Sequence, residues 1–252
     1  MKTLGVDIGS HYTKFAVVDD SLSLIHTALV PTLFRRRDTL NETLNNIRKK
    51  YQIEAQCATG YGRDSTDIDL KKPELICASI GVSARYPLLK ILVDIGGEDI
   101  KVIESGSGGN VERFYMNDKC SAGTGAFIAE IAEKAELEIS DMSNLARESS
   151  TDRIMNSFCT VFAKTEILSW KFDGVSASDM ARGIYLSVVD RVCKIPMRDD
   201  LPVFLCGGVA AHHAYLATLL SQRIGSDVQI TSDPQFMVAY GAALAARQSA
   251  IH

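Results

Sequence analysis

Leu4-Gly5-Val6-Asp7-Ile8-Gly9-Ser10-His11-Tyr12-Thr13-Lys14 decides the fold, because the form it opens returns at Asp94-Ile95-Gly96-Gly97-Glu98-Asp99-Ile100-Lys101. Both stretches read D-I-G-S/G-x-x-x-K. Each lies between two apolar, β-branched runs: Lys2–Val6 and Lys14–Val18 around the first, Leu88–Val93 and Asp99–Glu104 around the second. A single Asp-x-Gly hairpin reads equally well as an ordinary turn, since both residues make turns everywhere. Two copies in matching contexts point instead to a repeated strand–turn–strand unit, and so to two related α/β halves facing each other. Glycine lets backbone N–H groups come close to a phosphate, and successive N–H groups in a tight turn form an anion nest. An aspartate at a strand end can hold Mg²⁺ through water or orient an attacking water. Lys14 and Lys101 add positive charge.

Working outward, Leu22–Val30 reads as a strand and Thr39–Lys50 as a helix with Leu40, Leu44 and Ile47 on one face. Ala55–Thr59 leads into the turn Gly60-Tyr61-Gly62-Arg63, and Glu74–Ser83 reads as a helix closed by Pro87. Beyond the second hairpin come a turn at Gly106–Gly109 and a strand at Val111–Met116. Helices are expected from Gly123 and Gly125 to Ala135, over Ser140–Ser149, Thr160–Trp170 and Ser178–Cys193. Pro202–Leu205 reads as a short buried strand ending in Gly207-Gly208, and the chain closes on a helix rich in alanine and glycine after Asp233-Pro234. The expected division is residues 1–86 and 87–252, with the final helix free to pack back on the first part.

The chain has 252 residues, 46% hydrophobic and 23% charged, with a net charge of −4. That is ordinary for a globular protein and gives no reason to expect nucleic acid or a membrane surface as partner. No run approaches the about 20 apolar residues of a membrane span. The polar, early-glycine start MKTLGVDIGS does not read as a signal peptide, so a cytoplasmic location is expected. The run Arg35-Arg36-Arg37 reads as a solvated loop or, as the alternative, a docking patch for an acidic donor or partner, His212-His213 as an exposed helix start, and Trp170 as core or interface packing.

Six cysteines form no CxxC pair. Cys77 and Cys206 sit in apolar runs and read as small buried hydrophobes, and Cys57 as structural. Cys120, just before the glycine turn 121–125, and Cys159, before Thr160, stand at expected helix starts. There a helix dipole and free N–H groups stabilise a thiolate. On spacing alone they read as helix caps or core residues, or as metal ligands. A 4Fe–4S cluster needs four thiolates, which two copies about a twofold axis would supply.

The two hairpins and the late Gly-Gly turn resemble the acetate kinase/sugar kinase/Hsp70/actin superfamily. That resemblance implies a two-lobed actin-like α/β ATPase fold with duplicated ribonuclease H-like halves and the nucleotide in the cleft between the lobes. It assigns phosphate contacts to the first hairpin (Asp7, Gly9, Ser10, His11, Tyr12, Thr13, Lys14). An aspartate near the γ-phosphate comes from the second (Asp94, Gly96, Gly97, Glu98, Asp99, Lys101), and Gly207 and Gly208 pack under adenosine. Asp7 and Asp94 are the expected catalytic residues.

The segments TGYGR, DIGGED, KCSAGTG, FCTVFAKTE and FLCGGVA further resemble the activator ATPases of 2-hydroxyacyl-CoA dehydratases and the ATPase subunits of ATP-dependent benzoyl-CoA reductases, a resemblance that spans Gly5 to Ala246. This resemblance implies ATP and Mg²⁺ as ligands. It also implies one 4Fe–4S cluster bridging two subunits through Cys120 and Cys159. Gly123, Thr124 and Gly125 would face the phosphates, Glu166 the ribose, and Gln235 the nucleotide near the last helix. The implied assembly is a homodimer, or a heterodimer with a similar subunit. It takes electrons from ferredoxin or flavodoxin and passes them to an iron–sulfur dehydratase or reductase. Two departures bear on the branch: Glu98 stands where the family commonly has glutamine, and Pro73–Ser79 lacks the histidine of the usual S-E-I-x-x-H-A segment. The main rival is a small-molecule kinase of the same fold, such as a type III pantothenate kinase, without a cluster; the second is a structural or regulatory ATP-binding protein with no redox role.

Overall fold

The computed structural model describes residues 1–32, 37–117, 124–156 and 159–251. Arg35, Arg36, Cys120 and Gly123 therefore lie outside the described residues. Two compact units emerge: Met1–Leu89 with Ile103–Arg113 and Gln235–His252, and Lys90–Val102 with Phe114–Pro234.

The first unit is built on a sheet of order β3-β2-β1-β4, comprising β1 (Thr3–Ile8), β2 (Tyr12–Val18), β3 (Leu24–Pro31) and β4 (Ala55–Thr59). β1 runs antiparallel to β2 and parallel to β4, so Asp7 lies opposite both Lys14 and Thr59. Every residue of β1 is buried, as expected of a strand covered on both faces. Leu4, Val6 and Ile8 share one face and pack with Leu44 and Ile47 of α1 (Arg37–Tyr51). Gly5 faces the other way, against α9 (Met237–Ile251). A Cβ on Gly5 would stand 1.9 Å from the Ala239 carbonyl oxygen, so the helix backbone rests directly on the strand. α2 (Glu74–Arg85) meets α9 equally closely: a Cβ on Gly241 would stand 1.8 Å from the Cys77 oxygen, and one on Gly81 2.4 Å from the Met237 oxygen. The alanine and glycine content of the last helix is thus the condition for its seat. Cys57 and Cys77 are buried in this unit.

The second sheet has the order β7-β6-β5-β8-β9, from β5 (Lys90–Ile95), β6 (Ile100–Ser105), β7 (Val111–Asn117), β8 (Val203–Cys206) and β9 (Val228–Ile230). β5, β8 and β9 are parallel, and Asp94 pairs with Cys206. The second unit's helices are α3 (Gly125–Ala135), α4 (Met142–Glu148), α5 (Thr160–Phe172), α6 (Ala177–Cys193), α7 (Gly208–His212) and α8 (Tyr215–Ile224). Trp170 of α5 is buried against Gly183 of α6, where a Cβ would stand 2.6 Å from the indole ring. Ser176 caps α6 by accepting the Asp179 N–H, and α8 stops at Gly225 with φ +72°. α8 and β9 have no counterpart in the sequence reading. His213 corrects it: the residue is buried, with Nδ1 2.7 Å from the Tyr185 hydroxyl, and only His212 is exposed. Among the described residues no helix is long and apolar enough to cross a membrane.

Candidate functional site

The register of β1 against β2 brings Asp7 and Lys14 side by side, because directly opposed residues of an antiparallel pair project to the same face. Lys14 Nζ lies 3.0 Å from Asp7 Oδ2. Asp7 is 2% exposed, and its Oδ1 is buried with no hydrogen-bond partner. An orphaned carboxylate oxygen is costly in a folded protein, and it fits a residue kept for a metal-bound or attacking water. The turn is closed by the Gly9 N–H donating to the Tyr12 carbonyl at 3.2 Å. Ser10 Oγ lies 3.1 Å from His11 Nδ1, and His11 and Tyr12 are exposed beside the turn. Thr13 is turned inward, fully buried, with its hydroxyl 2.9 Å from that of Thr32.

The second hairpin repeats the plan with one more carboxylate. Lys101, 2% exposed, places Nζ 2.7 Å from Asp99 Oδ2 and 3.8 Å from Asp94 Oδ2. The Gly96 N–H donates to the Asp99 carbonyl at 2.9 Å, and Glu98 is exposed. Helix α3 begins on this turn. With the buried Thr124 as N-cap, the Gly125 N–H donates to the Gly96 oxygen at 3.0 Å and the Ala126 N–H to the Gly97 oxygen at 2.8 Å. Orphan donors of a helix start are thus satisfied by the hairpin. A Cβ on Gly125 would stand 3.3 Å from the Gly96 oxygen and 3.4 Å from Val209 Cγ2, so this glycine holds the hairpin, α3 and α7 together.

The two glycines after β8 differ in kind. Gly207 has φ +95° and donates its N–H to the Pro234 oxygen at 3.0 Å; a Cβ there would stand 2.4 Å from Asp94 Oδ1. A Cβ on Gly208 would meet nothing within 4 Å. Packing demands the first glycine but not the second. Open space over Gly208 is what a flat ring lying on the backbone requires.

Gln235 lies in the short turn Pro234–Phe236. Glu166, on α5, accepts the Asn156 N–H at 2.9 Å. Cys159 is the N-cap of α5: its carbonyl accepts the Ala163 N–H at 2.9 Å while the thiol is exposed. An exposed thiol at a helix N-terminus suits a metal-ligating sulfur. Among the described residues no group of three or more His, Cys, Asp or Glu side chains is arranged to hold a metal ion.

The sequence profile of the BadF/BadG/BcrA/BcrD ATPase family matches residues 4–246. The activator of lactoyl-CoA dehydratase from Anaerotignum propionicum is 34% identical over 99% of each chain. The crystal structure of the Acidaminococcus fermentans (R)-2-hydroxyglutaryl-CoA dehydratase component A superposes with a TM-score of 0.90 at 33% identity, covering 100% of both chains. The activator of the 2-hydroxyisocaproyl-CoA dehydratase from Clostridium difficile, with bound ADPNP, gives 0.89 at 30% identity, covering 100% of this chain and 96% of that one. The α/β fold is therefore the actin-like ATPase fold.

Proposed function

The chain belongs to the BadF/BadG/BcrA/BcrD ATPase family, and on that premise we propose that it is an ATP-hydrolysing activator passing a low-potential electron to an iron–sulfur partner. The partner would be a 2-hydroxyacyl-CoA dehydratase or a reductase of the benzoyl-CoA type. The observation that carries this reading is the end-to-end similarity to dehydratase activators in a chain with two hairpins that each set a lysine beside a buried aspartate. The backbone turns at Gly9–Ser10 and Gly96–Gly97 hold phosphates, and Gly207–Gly208 pack under the adenosine. Asp7 holds Mg²⁺ through water. Asp94 orients the water that attacks the γ-phosphorus as the bond to the β–γ bridging oxygen breaks, giving ADP and phosphate.

Cys120 and Cys159 from each of two copies hold one 4Fe–4S cluster, which supplies one-electron chemistry at low potential. Electrons come from a reduced ferredoxin or flavodoxin. The contact of Gly125 with the second hairpin supports coupling: loss of the γ-phosphate alters that hairpin and with it the start of α3, which begins five residues after Cys120 in the sequence.

Anaerobic purification tests the proposal. The protein should carry about four irons per dimer. MgATP and ADP should give different EPR spectra of the reduced protein, or different rates of iron removal by a chelator. Iron-free protein that passes phosphate to a small alcohol or acid would establish the kinase reading instead. Identical spectra and chelation rates with ATP, ADP and no nucleotide would end the coupling proposal.

A further inference from the structure

Each strand-end aspartate is backed by a glycine from the neighbouring parallel strand, and the two arrangements match atom for atom. In the first unit Thr59 pairs with Asp7, and the next residue, Gly60, is buried with φ +85°. A Cβ on Gly60 would stand 2.6 Å from Asp7 Oδ1 and 2.5 Å from the Ile8 carbonyl oxygen. In the second unit Cys206 pairs with Asp94, and the next residue, Gly207, has φ +95°. A Cβ on Gly207 would stand 2.4 Å from Asp94 Oδ1 and 2.4 Å from the Ile95 carbonyl oxygen.

We propose that Gly60 is a positioning residue for Asp7, as Gly207 is for Asp94: the bare Cα of each closes one side of the carboxylate and sets its plane. The inference rests on the nucleotide reading above. Rotation about the last bond of an aspartate is broad and weakly restrained. In Asp7 only Oδ2 is tied, to Lys14, while Oδ1 is buried without a partner. The wall at Gly60 supplies the missing restraint. A methyl group there, 2.6 Å from Oδ1, would have to drive that oxygen away by roughly 1 Å to reach ordinary contact. The positive φ separately favours glycine.

Two other glycines separate this role from packing. Gly62 belongs to the same turn and donates its N–H to the Ile8 oxygen at 2.9 Å, but a Cβ on it would meet Ile8 Cγ2 at 2.3 Å and not Asp7. Gly225 has φ +72° and nothing within 4 Å of a Cβ, so Gly225→Ala carries backbone strain alone.

The experiment compares wild type, Gly60→Ala, Gly62→Ala and Gly225→Ala by thermal melting and by ATP hydrolysis titrated with both ATP and Mg²⁺. Gly60→Ala should lose about a hundredfold in kcat and need more Mg²⁺ for half-maximal rate, with KM for ATP changed far less. Gly62→Ala and Gly225→Ala should melt at lower temperature and keep the Mg²⁺ dependence of the wild type. Wild-type kcat and Mg²⁺ dependence in Gly60→Ala would overturn the proposal, as would the same loss in Gly62→Ala. A wild type that binds no nucleotide fails the underlying reading first, and the inference falls with it. If Gly60→Ala does not fold, adding Asp7→Ala should restore a soluble protein by removing the carboxylate. A double variant that still does not fold would assign the obstacle to the Ile8 carbonyl and overturn the proposal.

Discussion

At the scale of single residues, burial decides protonation. His213 is 5% exposed and meets Tyr185, whose hydroxyl also lies 3.3 Å from Ser143 Oγ. Burial, helped by the neighbouring His212, pushes the His213 imidazole down to about 4, and burial pushes the Tyr185 phenol up to about 12. Above the unfolded value of 6.5 the imidazole is neutral in both states, and its contribution to stability is whole. As pH falls from there towards 4, the unfolded chain takes a proton that the folded chain refuses, so stability is lost. The loss reaches about 3 kcal/mol, from about 1.4 kcal/mol for each pKa unit. Urea unfolding between pH 7 and pH 4 should therefore show a steep fall in midpoint that flattens in His213→Asn. Equal slopes in the two proteins would show that the imidazole does not titrate this way. The same histidine marks a limit of sequence reading: two adjacent histidines after a glycine turn look solvated, and only the approach of α6 buries one of them.

At the scale of elements, glycine spacing is packing distance. α9 lies on β1 at Gly5 and on α2 at Gly81 and Gly241, with backbone carbonyls where side chains would begin. Gly241→Ala cannot be absorbed by a rotamer change, because the obstacle is the Cys77 carbonyl. The helices must part, at a cost of about 3 kcal/mol, or a fall of roughly 6–12 °C in melting temperature for a chain of this size. Gly108→Ala, whose Cβ meets only Asn110 Oδ1 at 3.9 Å, should stay within about 0.5 kcal/mol of wild type. Equal melting temperatures for the two variants would refute the close seat of α9. The strands of both hairpins were legible because their β-branched runs end in turn residues. β9 was not, since three residues, Val228–Ile230, become a strand only by pairing with β8. Nor was α8, a short helix between turn signals.

At the scale of the whole molecule, the proposed cluster makes assembly and redox chemistry one property. A chain offering Cys120 and Cys159 cannot complete four thiolates alone. Cys120→Ser and Cys159→Ser should therefore each lose iron and shift the dimer towards monomer in anaerobic light scattering. Cys193→Ser should retain both iron and dimer, because that thiol is half-buried and burial pushes its pKa up. A stable monomer with a full cluster would sink the bridging proposal. The sequence by itself determined the duplicated hairpins, because Asp-Ile-Gly with a lysine after it is local chemistry that survives in one dimension. It also carried the family, through motifs that run the length of the chain. Tertiary structure alone decided that Thr13 turns into the core, that Lys101 is shared by Asp94 and Asp99, and that the α3 N–H groups are taken by Gly96 and Gly97. It alone decided that Gly60 and Gly207 stand against the two aspartates. The reason is physical: whether neighbours within one hairpin or residues far apart in the chain, these groups meet at distances set by how strands and helices pack rather than by any local preference of the residues themselves.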